Sequence, residues 1–120
     1  MLNRLRALLA RWHELNELDH LTDRDLDDLG LTRQQVTEFA RLPADVPARM
    51  AGIARIFGLT PEDIARDNAA YVELAETCGS CGARRQCART LAAAPGQITP
   101  ADVGFCANAR SYAFLAGTAA

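Results

Sequence analysis

The residues of this chain best suited to chemistry are its four cysteines, Cys78, Cys81, Cys87 and Cys106, spaced C-x2-C-x5-C-x18-C. A thiolate is a soft ligand, and four of them suit a zinc ion or an iron–sulfur cluster. The short gap lets Cys78 and Cys81 turn toward one centre, with Gly79 and Gly82 easing the close backbone approach. Cys87 can swing back from the first turns of a following helix, whereas Cys106 must arrive through tertiary packing. The spacing points to a four-cysteine metal site. Two plainer readings stand beside it: a pair of disulfides, or free thiols packed as small apolar side chains. Disulfides need an oxidising compartment. The apolar run from Leu5 to Trp12 is broken by Arg6 and Arg11 and is followed by no small-residue cleavage site, so a cytoplasmic location is expected.

Of the two metals, the pattern favours an iron–sulfur cluster, with zinc the alternative. Structural zinc sites usually carry two tight C-x2-4-C pairs. Here only Cys78 and Cys81 form one, and the other two ligands come singly from helical segments, as suits the larger cage of a cluster. The C-x2-C-x5-C run also resembles the last three ligands of the cluster loop in helix–hairpin–helix DNA glycosylases, over ten residues and without likeness in fold or length. A tetrathiolate centre carries a net charge of about −2. The stretch 78–110 holds Arg84, Arg85, Arg89 and Arg110 against Asp102 alone. Arg84, Arg85 and Arg89 are thus candidates to stabilise such a centre and raise its reduction potential. An ordinary solvated helix face is the competing reading.

Other chemistries find little footing. His13 and His20 are the only histidines, and neither has a serine or cysteine nucleophile at a recognisable spacing. There is no glycine-rich phosphate loop and no H-E-x-x-H. The acids between Asp23 and Asp28 lack the alternation and terminal glutamate of a calcium loop. No enzymatic activity and no small-molecule substrate are expected, and no run approaches a membrane span. The net charge of −2 is uneven: residues 1–45 hold six arginines against nine acids.

The elements that must position the cysteines read as helices throughout. Leucines at three- and four-residue steps, with Trp12, mark an amphipathic helix over 2–18. Thr22 with Asp25 and Thr32 with Gln35 open two short helices as capping boxes, and Gly30 closes the first. Asp45 or Pro47 starts a helix bearing Met50, Ile53, Ile56 and Phe57, stopped by Gly58. Thr60-Pro61-Glu62-Asp63 restarts the chain. The helix that follows delivers Cys78 at its end, with a break allowed at Asp67-Asn68. A helix from Ala83 to about Ala94 carries Cys87, and Thr99-Pro100-Ala101-Asp102 precedes a last helix with Tyr112, Phe114 and Leu115. The expected fold is an all-α bundle of about six helices, organised as a hairpin region (1–44) and a four-cysteine helical domain (45–120).

Two resemblances follow from these residues. Leu18, Leu21, Leu26, Asp28, Leu29, Gly30, Leu31 and Arg33 resemble the shared hairpin of the YjiS-like family of small, arginine-rich bacterial proteins, over about 12–43. That resemblance implies RNA binding or regulation of metabolism, with a protein partner as the other expectation. The hairpin has a helix-turn-helix outline, yet Asp23, Asp25, Asp27 and Asp28 repel phosphate, so direct DNA binding is not expected. The second half, about 48–116, resembles an uncharacterised family of small bacterial four-cysteine proteins. Met50, Gly58, Leu59, the C-x2-C-x5-C turn, Leu91 and the late Phe105-Cys106-Ala107-Asn108 carry this likeness, with Ala107 in place of the usual proline. It implies no activity. Together the residues suggest a small iron–sulfur protein acting as a redox- or iron-responsive regulator or electron carrier. The alternative is an adaptor whose zinc only holds the fold.

Overall fold

The structure, a computed structural model, describes residues 21–93 and 96–119. All regular elements among them are helical: α1 (Asp23–Leu29), α2 (Arg33–Ala40), α3 (Val46–Ile56), α4 (Pro61–Ile64), α5 (Asn68–Gly79), α6 (Arg84–Leu91), a 3-10 turn (Pro100–Val103) and α7 (Ala109–Ala119). The all-α expectation is met. The α-helices number seven among the described residues rather than about six. One reason is that Asp67 starts a helix of its own, its carboxylate accepting from the N–H groups of Ala69 and Ala70 at 3.0 and 3.3 Å. The helix expected over 2–18 lies outside the described residues.

Local chemistry sets the helix starts. Thr22 Oγ1 accepts from the Asp25 N–H at 3.1 Å while the Asp25 carboxylate accepts from the Thr22 N–H at 3.0 Å. Thr32 with Gln35 and Thr60 with Asp63 repeat this reciprocal box, which satisfies amide groups that a helix start leaves open. Gly30 and Gly58 end α1 and α3 at φ 69° and 81°, a left-handed turn that a side chain would strain.

The middle of the bundle is α3, which packs against α4, α5 and α6. Val46, Met50, Ile53 and Ala54 form its buried stripe at helical spacing. The hairpin is held to this body by α2 against α5, where the Phe39 and Tyr71 rings lie 5.9 Å apart. Asn68 adds a buried hydrogen bond, its Nδ2 donating to the Leu29 carbonyl at 2.8 Å. At the other end α4 packs on α7, and Phe57 meets Tyr112 at 5.8 Å. One apolar cluster runs from Leu21 to Tyr112, with Val36 and Val46 both in it on either side of residue 44. On the last helix Phe114 is 71% exposed, because it stands two residues from the buried Tyr112 and so on another face. No helix among the described residues is long and apolar enough to cross a membrane.

Candidate metal centre

The four cysteines arrive on separate pieces of backbone. Cys78 sits in the last turn of α5, and Cys81 in the turn after it. Cys87 is on the buried face of α6, and Cys106 lies between the 3-10 turn and α7. The 3-10 turn is set by Asp102, whose carboxylate accepts from the Thr99 N–H at 2.8 Å and from its hydroxyl at 3.0 Å. Asn108 then fixes the segment from inside, its Nδ2 donating to the Leu74 carbonyl of α5 at 2.8 Å. The result brings all four sulfur-bearing residues to the wall of one cavity of about 20 Å³. Met50, Ile53, Phe105 and Tyr112 complete its apolar lining.

The thiols are free, with no disulfide among them. Cys87 is buried and the other three are half-buried. Among the described residues no three Cys, His, Asp or Glu side chains converge tightly enough to hold an ion. Two sulfurs already receive backbone N–H groups: Ala83 donates to Cys81 Sγ at 3.3 Å, and the Asn108 N–H points to Cys106. At Cys106 that contact favours the thiolate. Burial pushes the Cys78 and Cys106 thiols up, with Arg49 opposing that rise at both and the Asn108 N–H opposing it at Cys106. Burial likewise pushes the Tyr112 hydroxyl far up, helped by Cys106 and Cys78, so Tyr112 is a neutral wall.

Among the described residues one charged side chain reaches the cavity, and the cysteine spacing gave no pointer to it. Arg49 projects from α3, is only 9% exposed and lines the cavity beside the cysteines. Its Nη1 is buried without a hydrogen-bond partner. Burial opposes its charge, but the Cys87 sulfur and the charges of Cys78, Cys87 and Asp45 outweigh that, and its pKa lies above the usual arginine value. The sequence held one signal for it: Arg49 falls on the stripe Val46-Met50-Ile53, where a cation at a core position demands a partner.

The arginines singled out by their nearness to the cysteines in sequence take other places. Arg84 Nη2 pairs with the Asp45 carboxylate at 2.9 Å, and that carboxylate makes no cap bond to α3. Arg85 and Arg89 are exposed. None of the three lines the cavity; with Cys81 and Gly82 they border an open depression on its outer side.

The donor set and the buried cation fit an anionic tetrathiolate centre in kind and in charge, while the sulfurs are not drawn together as ligands. Among known families, a model described as the YjiS-like domain matches residues 1–37, which end within α2. The N-terminal part of the chain is thus similar to that domain. No curated protein and no solved structure matches this chain.

Proposed function

We propose that this chain is a small, non-catalytic protein whose Cys78, Cys81, Cys87 and Cys106 hold an iron–sulfur cluster. The observation that carries the reading is the meeting of all four cysteines with a buried arginine, whose Nη1 has no hydrogen-bond partner, at one cavity. Four soft donors form an anionic ligand set, and a fixed cation is what such a set needs at short range in a poorly solvated site. A bound cluster would supply one-electron redox chemistry. The chain's own part is to orient and shield: the Ala83 and Asn108 N–H groups donate to sulfur, and Met50, Phe105 and Tyr112 keep water off. Two of the ligands come from the end of α5 and the turn after it, one from α6 and one from the segment before α7, so the centre would tie those three pieces together. Its loss would release them, which suits a redox- or iron-responsive regulator as well as an electron carrier. The resemblance to an uncharacterised four-cysteine family rests on the cysteine spacing and the late Phe105-Cys106-x-Asn108. A protein partner, or RNA through the YjiS-like part, and a cytoplasmic location belong to the same proposal.

One observation favours a second reading, a structural zinc adaptor: a void of about 20 Å³ suits one small body better than a cluster. Purification without oxygen, followed by visible absorbance and a count of iron, zinc and sulfide per chain, separates the two. Colour with matched iron and sulfide supports the cluster. A colourless protein with zinc alone makes the chain an adaptor, and protein with neither metal refutes both.

A further inference from the structure

A buried arginine in the first turn of α3 is costly unless something answers its charge. Arg49 lies on the helix that packs against both cysteine-bearing helices, and the stripe around it, Val46, Met50, Ile53 and Ala54, is otherwise apolar. The acid that acts on it, Asp45, has its carboxylate oxygens taken by Arg84 at 2.9 and 3.0 Å. Arg49 lines the same cavity as the four cysteines, with one N–H-bearing nitrogen, Nη1, buried and unused. An arginine has a planar fork of donors and keeps its charge in any environment.

We infer that Arg49 is a positioning residue for the cysteine centre: it donates to the ligand sulfurs from the α3 side and fixes the net negative charge the cavity accepts. This rests on the metal-centre reading above. A neutral side chain there would leave an anionic centre facing apolar α3, and a lysine would restore the charge but not the fork. Hydrogen-bonding partners just outside a metal's ligands commonly change its retention by about 10- to 100-fold when removed.

Two measurements on full-length protein purified without oxygen test this. The first is the rate at which a competing chelator strips the bound metal from wild type, Arg49→Met and Arg49→Lys. Arg49→Met is expected to lose metal about 10- to 100-fold faster, with Arg49→Lys between the two. The second is the denaturant midpoint of the same proteins with and without metal. A merely structural arginine predicts that Arg49→Met weakens both forms alike. A counter-cation predicts that it weakens the metal-bound form while the metal-free form is unchanged or firmer, because an unanswered buried charge has been removed. Equal stripping rates, or equal weakening of both forms, would overturn the inference while leaving a metal-loaded wild type to support the centre itself. Wild type that carries no metal overturns the centre and the role of Arg49 with it. If Arg49→Met does not fold, the stripping rate of Arg49→Lys decides: a rate equal to wild type refutes the need for the fork.

Discussion

The hairpin α1–α2 and the cysteine region from α5 to α7 are stabilised by different kinds of interaction. In the hairpin, caps link residues three apart and the turn is closed by one glycine. In the cysteine region, the contacts that matter join Asn108 to Leu74, Arg49 to Cys87 and four cysteines to one cavity. The hairpin is specified by neighbours in sequence, the cysteine region by residues brought together from three or four helices. Loss of the proposed centre should therefore fall on the second region first.

Stripping the metal of the proposed centre would be the largest break. Chelation, or Cys106→Ala, is expected to cost several kcal/mol in unfolding free energy, since binding at such a site is coupled to folding. Native-state hydrogen exchange should show the α6 and α7 amides losing protection well before those of α1 and α2. Equal loss in both regions would show that the shared core, and not the centre, limits stability.

The two buried asparagines sharpen the contrast. Asn68→Ala and Asn108→Ala each leave a buried carbonyl without its donor and should cost about 1–3 kcal/mol by denaturant titration. Only Asn108→Ala should also speed metal loss, because its side chain ties the Cys106 segment to the Leu74 carbonyl of α5 and so holds the backbone N–H that faces Cys106.

Smaller effects belong to the caps. Thr22→Ala or Thr32→Ala should lower stability by about 1 kcal/mol and leave metal content unchanged. The boxes also set an acid limit. Hydrogen bonds from threonine hold the Asp25, Asp63 and Asp102 carboxyls below their ordinary range. Their contribution is present above the unfolded carboxyl pKa and is lost as pH falls through the lower folded values.

The smallest shift runs the other way. Burial, then Glu38 and Glu73, raises the Glu76 carboxyl, so the folded chain holds its proton more tightly than the unfolded one. That contribution is present at low pH and lost as pH rises through the raised value. Glu76→Gln should give a small rise in melting temperature at pH 7, shrinking as the pH is lowered through the carboxylate range. A rise independent of pH would contradict this origin.

Legibility in the sequence followed the same division. Thr22, Thr32 and Thr60 with their partners, and Gly30 and Gly58, could be read because capping is decided within four residues. The convergence of Cys106 on the other three rested on ligand number alone, since nothing local aims that residue. Arg84, Arg85 and Arg89 were attractive because they are near the cysteines in sequence. Arg49 is thirty-eight residues from Cys87, and only the packing of α3 on α6 puts the two together.

The central claim is that four cysteine sulfurs surround one metal centre. X-ray absorption at the metal edge, on protein purified without oxygen, tests it most directly. The account predicts a shell of sulfur alone at about 2.3 Å, four per metal, with iron neighbours beyond it if a cluster is bound and none if the metal is zinc. A first shell of nitrogen or oxygen, or a protein with no metal to measure, would contradict it.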